Sequence, residues 1–126
     1  MPKAAANSRV AILGASPKED RYSFKAFRLL KEHGFAPIPV HPAGHGIDDV
    51  TALRSLDDIS GTVDTLTVYV GAAISDGEAD RILKLRPRRV IFNPGAENEA
   101  LAEKLERAGI EVVRWCTLVM LRSSMF

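Results

Sequence analysis

Three positively charged side chains lie close together in the sequence, around the start of the first predicted helix. Lys18, Arg21 and Lys25 follow residues 14–16 (Gly-Ala-Ser), which supply a glycine and a hydroxyl group directly after an apolar strand. Main-chain amides and the dipole of a helix N-terminus attract anions, and nearby cationic side chains add charge-assisted hydrogen bonds. The pattern therefore indicates a phosphate site, although the same side chains could also be solvated surface charges.

The sequence argues against several other kinds of site. It contains no Gly-x-x-x-x-Gly-Lys-Ser/Thr run, and Gly14 is not followed by the second and third glycines of a dinucleotide fingerprint. The second predicted strand ends in His41, not in an acid, which disfavours NAD and favours a ribose that carries an extra phosphate, as in NADP or coenzyme A (CoA). We expect no metal site, because the three histidines lack ligand spacing, and we assign no catalytic residue.

Alternating strand and helix patterns position these residues in an α/β fold. The predicted strands are Arg9 to Leu13, Pro37 to His41, Thr65 to Val70, Arg89 to Phe92 and Ile110 to Arg114. Helices are predicted from a cap at Ser23 to Gly34, from a capping box at Ser75 to about Arg86, from Glu97 to Ala108, and from Trp115 to Arg122. Connections of this length require parallel pairing with right-handed crossovers, so we expect a doubly wound parallel sheet.

The second strand indicates one edge of that sheet. Pro37 and Pro39 remove two amide hydrogens from the same side of the strand, so this side must face a weak or edge neighbour. The apolar patch from Val50 to Leu53 could supply it, which predicts the strand order 3-2-1-4-5-6.

In doubly wound sheets the ligand lies beyond the carboxyl ends of the strands, where the winding reverses. Here that point lies between the first strand and the strand that begins at Thr65. We therefore predict that the ligand contacts the residues that follow or end the strands at this edge: Gly14, Ala15, Ser16, Lys18, Arg21, Lys25, His41, Pro42, Val70, Asn93, Pro94, Gly95 and Cys116.

Length and charge limit the remaining interpretations. The 126 residues predict one domain over 1–126, with residues 1–8 as a frayed lead-in. The 17 basic and 16 acidic residues nearly balance, which argues against a general nucleic-acid or anionic-membrane binder, and no apolar run is long enough to span a membrane. A single cysteine cannot form an intrachain disulfide, so we expect a cytoplasmic protein.

Several blocks of the sequence resemble small stand-alone CoA-binding proteins. The blocks are residues 10–17 (VAILGASP), 39–42 (PVHP), 63–64 (VD), 90–98 (VIFNPGAEN) and 116–119 (CTLV). These proteins are similar to the CoA-binding domain of the succinyl-CoA synthetase alpha subunit and of ADP-forming acyl-CoA synthetases. The resemblance covers residues 9–122 and implies a Rossmann-like, nucleotide-binding fold for CoA or acyl-CoA. Two departures stand out: His41 replaces the more common Asn, and Asn93-Pro94-Gly95 replaces the glutamate-bearing loop of the synthetases.

Two functions of different classes remain open. The first is a non-catalytic CoA or acyl-CoA binding module that holds the phosphates at the first strand–helix loop, either alone or within a homo-oligomer or larger assembly. The synthetases use a phosphorylated histidine from a separate domain that we do not find here. The second is an enzyme that uses NADP or a CoA thiol, with Cys116 or Tyr22 as the reactive group. A free cysteine beside an apolar run is more often buried and inert.

Overall fold

The computed structural model describes residues 2–126, which contain seven strands and five α-helices. The strands are β1 (Arg9–Leu13), β2 (Ala36–Val40), β3 (Gly46–Ile47), β4 (Val50–Thr51), β5 (Thr65–Val68), β6 (Arg89–Phe92) and β7 (Glu111–Arg114). The helices are α1 (Tyr22–Glu32), α2 (Ala72–Asp76), α3 (Ala79–Leu85), α4 (Glu99–Arg107) and α5 (Thr117–Arg122), with a 3-10 turn at Leu56–Asp58. Five strands form a parallel sheet in the order β2-β1-β5-β6-β7, which confirms the predicted Rossmann-like α/β class.

The weak edge strand predicted at Val50 to Leu53 is reduced to a single bridge. β4 pairs antiparallel with β3 in a separate two-stranded hairpin, and only Leu53 reaches the main sheet. Its amide donates to the Pro39 carbonyl at 2.9 Å, and its carbonyl accepts from the His41 amide at 2.8 Å. A longer ladder cannot form on this side of β2, because each proline there lacks the N–H that a ladder needs. The other five strands follow the predicted order.

The sheet is buried on both faces, as the apolar run of β1 requires. Ile12 belongs to a buried cluster that also contains Phe27 of α1 and Met120 of α5. Its neighbour Ala11 belongs to the opposite cluster, which contains Leu101 of α4. Successive side chains of a strand point to opposite faces, so a continuous apolar strand buries both. This packing fixes the carboxyl ends of the strands, from which the loops of the candidate site emerge.

At two helix starts the expected capping hydroxyls are used in tertiary contacts, and α4 and α5 each begin two residues later than predicted, at Glu99 and Thr117. The N-cap of α1 is Arg21, without a side-chain cap, and the buried Ser23 hydroxyl accepts a hydrogen bond from the Ser16 amide instead. Ser75 lies inside α2, where its hydroxyl accepts from the Asn98 side chain at 2.8 Å. The single helix predicted there is divided into α2 and α3.

Candidate functional site

A cleft of about 590 Å³ opens at the carboxyl end of the sheet, at the point where the winding reverses between β1 and β5. Its walls come from the loop after β1, the start of α1, and the segments that follow β2, β5 and β6. The lining residues are Gly14, Ser16, Pro17, Lys18, Arg21, Tyr22, Ser23, His41, His45, Tyr69, Pro94, Gly95 and Ala96. The cleft therefore lies where a ligand of a doubly wound sheet is expected.

The loop after β1 is held in place by its own hydrogen bonds. The Ser16 amide donates to Ser23 Oγ at 3.1 Å, and Ser16 Oγ accepts from the Lys18 amide at 3.2 Å. The amides of Gly14 and Ala15 both donate to the Val40 carbonyl, at 3.0 and 3.2 Å. The loop is thus connected both to α1 and to β2, which presents it to the cleft in a fixed conformation.

Gly14 allows β1 to end close to the neighbouring strand. Its φ of +90° lies in the left-handed region, and a Cβ added there would lie 2.7 Å from Cγ1 of Val70. A larger residue would be strained both by its backbone conformation and by this contact. Val70, a predicted ligand contact, therefore packs against Gly14 under the cleft and does not line it.

The cleft carries positive charge without a balancing acid. Lys18 and Arg21 are exposed, and within residues 2–126 neither forms an ion pair. No carboxylate from this part of the chain lines the cleft, and the first turn of α1 has no acidic residue. Lys25 lies outside the lining, with its Nζ 5.4 Å from the centre of the Tyr22 ring. The site can therefore attract an anion through two cations and a helix N-terminus.

Two histidines stand side by side in the cleft wall that follows β2. The rings of His41 and His45 have centroids 4.6 Å apart. Nε2 of His45 lies 2.9 Å from the Ala15 carbonyl oxygen, and Nδ1 of His41 accepts a hydrogen bond from the Ala43 amide at 3.0 Å. Burial lowers the pKa of His41, and repulsion from His45 lowers it further. Both effects favour the neutral form of His41.

Asn93 connects three elements beneath the cleft. Its side-chain amide donates to Thr67 Oγ1 at 2.7 Å and to the Val68 carbonyl at 2.9 Å, and its oxygen accepts from the Thr117 amide at 2.9 Å. Only 2% of the residue is exposed. The amide group predicted to contact the ligand is instead bonded within the protein, and it fixes the loop that presents Pro94.

Tyr69 forms part of the cleft floor. Its ring lines the cleft, and its buried hydroxyl has no hydrogen-bond partner within residues 2–126. Burial raises the pKa of Tyr69 far above its usual range, so the side chain is neutral and offers a mainly apolar surface. Sequence reasoning missed it, because a tyrosine at the end of an apolar strand has no distinctive motif.

The structure brings together seven of the thirteen predicted contacts along the cleft: Gly14, Ser16, Lys18, Arg21, His41, Pro94 and Gly95. The other six, Ala15, Lys25, Pro42, Val70, Asn93 and Cys116, lie outside the lining. Ala15 is fully buried, and its carbonyl holds His45. Six lining residues were not predicted as contacts: Pro17, Tyr22, Ser23, His45, Tyr69 and Ala96. Most of these six are sequence neighbours of predicted residues. The sequence could therefore indicate which loops reach the cleft, but not which side chains of a loop line it.

Cys116 lies at the same edge of the sheet as the cleft. It is half-buried and is the N-cap of α5, where its side chain forms no capping hydrogen bond. The next residue, Thr117, is buried and donates its amide to Asn93. The flanking Trp115 is 41% exposed, so this part of the chain forms an accessible surface.

The described residues contain no grouping typical of a metal site. Within residues 2–126, no three His, Cys, Asp or Glu side chains lie close enough together to hold a metal ion. The third histidine, His33, is exposed at the end of α1. No helix in this part of the chain combines the length and apolar character needed to cross a membrane.

Comparison with known proteins places the cleft within a shared domain. A family model described as a CoA binding domain matches residues 8–122, which include every residue of the cleft. A solved structure of an uncharacterized protein is 43% identical, with a TM-score of 0.91 over 97% of this chain and 100% of that one. Cell-free ID.343 from Thermus thermophilus is 29% identical, with a TM-score of 0.87 over 95% of this chain and 91% of that one. The uncharacterized protein YneT of Bacillus subtilis (strain 168) is 27% identical over 107 residues, 85% of this chain and 79% of YneT.

Proposed function

This chain belongs to the CoA-binding domain family, and we propose that it acts as a single-domain, non-catalytic module that binds CoA or acyl-CoA in the cleft described above. Family membership confirms the resemblance found in the sequence. The observation that carries the proposal is the presence of two cations, Lys18 and Arg21, at and just before the N-terminus of α1. Among residues 2–126 neither has an ion-pair partner, and none of these residues contributes a carboxylate to the cleft lining.

We place the diphosphate of CoA at the loop after β1. Lys18 and Arg21 would neutralise its charge, and the first amides of α1 would donate hydrogen bonds to its oxygens. The loop conformation held by the Ser16–Ser23 hydrogen bond requires no reordering to accept it. A site that is ordered before binding loses less conformational entropy when the ligand arrives.

We place the two ends of CoA on either side of that loop. The adenosine would lie at the end of β2, against the imidazole of His41, because the residue that ends the second strand meets the ribose in this fold class. The pantetheine arm would pass the apolar ring of Tyr69 and Gly95, towards the edge that carries Cys116.

The composition of the lining supports binding more than catalysis. The titratable groups there are two cations, two adjacent histidines and two tyrosines. Tyr69 is held neutral by burial, and no carboxylate from residues 2–126 is present to orient a histidine as a general base. The lining therefore has groups that recognise an anion but lacks the paired acid and base of a typical hydrolytic or transfer site.

Thermal denaturation with a ligand panel tests the proposal. CoA, acetyl-CoA, NADP, NAD and ADP are each added to the full chain at increasing concentration. A ligand that binds only the native state stabilises it by about 2.7 kcal/mol at 100 times its dissociation constant, which is a readily measured shift in Tm. We expect a shift with CoA and acetyl-CoA and none with NAD. A shift with NADP but not with CoA would favour the enzyme alternative, and no shift with any member would refute the assigned ligand class.

A further inference from the structure

The helical layer formed by α1 and α5 carries most of the exposed large apolar side chains. In the part of the chain that the structure describes, four of the five belong to these helices or flank α5: Tyr22, Trp115, Val119 and Met125. The fifth, Ile74, lies in α2. We refer to the exposed side chains of α1, of α5 and of the residues that flank α5 as the α1–α5 surface. Single exposed apolar side chains are normal, but several on one surface indicate contact with another molecule.

The helices on the opposite face of the sheet present a different kind of surface. Glu103 of α4 pairs with Arg107 at 3.8 Å. Arg114 of β7 pairs with Glu99 at 2.9 Å and with Glu106 at 3.2 Å. Among the described residues, no large apolar side chain of α3 or α4 is strongly exposed. This face therefore pairs its own charges, and the apolar side chains without a partner are concentrated on the α1–α5 surface.

Three residues form a stripe along the outer side of α1. Lys25, Leu29 and Glu32 are spaced by four and then three residues, which places them on one side of the helix. Together with Arg122 of α5 they border a groove of about 340 Å³. Within residues 2–126, neither Lys25 nor Glu32 forms an ion pair. The stripe thus has an unpaired cation at one end, an apolar centre and an unpaired carboxylate at the other end.

This order of charges is complementary to itself. An α-helix rises about 1.5 Å per residue, so Lys25 and Glu32 lie about 10 Å apart along α1, and Leu29 lies within about 1 Å of their midpoint. A second copy of α1 can pack antiparallel to the first about a two-fold axis at that midpoint. Lys25 of each copy then faces Glu32 of the other, and the two Leu29 side chains meet. A two-fold interface joins the same patch of both subunits, so it requires a patch that is complementary to itself.

We propose that the α1–α5 surface is the interface of a homodimer with two-fold symmetry. The carboxylate in the stripe and the near balance of 17 basic and 16 acidic residues favour a second copy over an anionic membrane. A standard interface buries about 800 Å² per partner, which is about one-eighth of the 6487 Å² accessible surface and can be supplied by one face of the domain. Because Tyr22 also lines the cleft, each cleft would open beside the partner copy.

Sedimentation velocity of the full chain without ligand tests the interface. We expect the apparent mass to rise from 13.7 kDa towards twice that value between about 1 and 300 µM, because interfaces of this area reach at least micromolar affinity. Sedimentation with anionic phospholipid vesicles, at the lowest of these concentrations, tests the membrane alternative.

A charge swap tests the register of the two helices. In Lys25→Glu alone or Glu32→Lys alone, two attractive contacts per dimer become repulsive, so the dissociation constant of the dimer should rise about tenfold. The double variant Lys25→Glu/Glu32→Lys restores opposite charges across the axis and should return the constant to within about threefold of wild type. Within one copy the two side chains are seven residues apart, too far to account for such a rescue.

Lys104→Glu is the matched control for the charge change. Lys104 is exposed in the last turn of α4, on the opposite face of the sheet, so this variant should dimerise as wild type. Circular dichroism and thermal unfolding verify that each variant is folded. Weakening by both single variants, rescue by the double variant and no effect of Lys104→Glu would together support the proposed interface.

Several results would overturn the inference. These are a chain that remains monomeric up to about 300 µM, and a monomer that binds anionic vesicles without forming a dimer. A dimer that neither single variant weakens would have its interface elsewhere, and equal weakening by Lys104→Glu would reduce the effect to net charge. Folded single variants that dissociate without rescue in the double variant would refute the two-fold register. None of these results depends on CoA, so the proposed function stands or fails separately.

Discussion

Replacement of Arg21 by alanine tests the phosphate site most directly. The backbone of Arg21 is extended, with φ −82° and ψ 142°, and its side chain forms no capping hydrogen bond, so alanine should leave α1 intact. A hydrogen bond to a charged group contributes about 1.5 to 3 kcal/mol. Arg21 is exposed, so its interaction with phosphate is partly screened by water and we expect the lower end of that range. The dissociation constant for CoA should therefore rise about tenfold.

Lys25→Ala supplies the matched control. It removes the same unit of charge from the same helix, but Lys25 lies outside the cleft lining, beside the Tyr22 ring. Calorimetry at low and at moderate salt should show a tenfold loss for Arg21→Ala that shrinks as salt screens it, and a change of less than about twofold for Lys25→Ala. Equal losses in the two variants would mean that only net charge matters. Unchanged affinity in both Arg21→Ala and Lys18→Ala, with the fold retained, would place the phosphates elsewhere.

Four further predictions concern stability and reactivity. Gly14→Ala should lower the free energy of unfolding by about 2 to 4 kcal/mol in chemical denaturation, because its φ of +90° and the 2.7 Å approach to Val70 Cγ1 both oppose a Cβ. The control Gly109→Ala, with a φ of +83° but no atom within 4 Å of the added Cβ, should cost only about 1 kcal/mol. Asn93→Ala removes three buried hydrogen bonds and should cost about 2 to 4 kcal/mol, with a loss of CoA affinity that follows from the displaced loop. Burial alone would raise the pKa of Asp64, but hydrogen bonds from an arginine and a threonine hold it below the usual value. Its stabilising contribution is thus complete above about pH 4 and is lost as the pH falls through the folded-state pKa, so Asp64→Asn should flatten the acid limb of an unfolding titration. The Cys116 thiolate should attack the S–S bond of CoA disulfide, form a mixed disulfide with one CoA and release the other CoA as a thiol, and mass spectrometry detects the adduct. A folded protein that binds CoA yet resists both this reagent and a small alkylating agent would show that Cys116 is inert.

The main sheet could be predicted because each of its strands has a strong local signal. Apolar runs such as β1 and β6 are buried on both faces. Two prolines, which have no N–H to donate, indicate that β2 lies at the edge of the sheet. The β3–β4 hairpin could not be predicted, since two-residue strands are too short to show a period. Its position depends on tertiary contacts, among them the ion pair of Asp48 with Arg28 of α1 and the hydrogen bond from the Leu53 amide to the Pro39 carbonyl.

The helix starts show how tertiary structure can override a local rule. A serine before an apolar face normally caps a helix, because its hydroxyl satisfies one of the first amides. Ser23 and Ser75 have that pattern, yet their hydroxyls accept from the Ser16 amide and the Asn98 side chain. Asn98 lies 23 residues after Ser75, and Ser16 lies seven residues before Ser23 in the loop that precedes α1. Only the folded chain shows that the hydroxyls stabilise the loops around the site and do not cap the helices.

The same distinction explains why only some of the predicted contact residues line the cleft. Topology determines which loops reach the carboxyl edge of the sheet, and the segments that follow β1, β2, β5 and β6 line the cleft there. Which side chain of a loop faces the cleft depends on the turn geometry. The Ala15 side chain is buried, and its carbonyl oxygen is hydrogen-bonded to the His45 ring. The side-chain amide of Asn93 forms its hydrogen bonds with β5 and α5. A motif at such an edge therefore combines residues that would contact the ligand with residues that fix the loops. Mutation distinguishes the two groups. Loss of a loop-fixing residue should reduce both stability and ligand affinity, whereas loss of a contact residue should reduce ligand affinity alone.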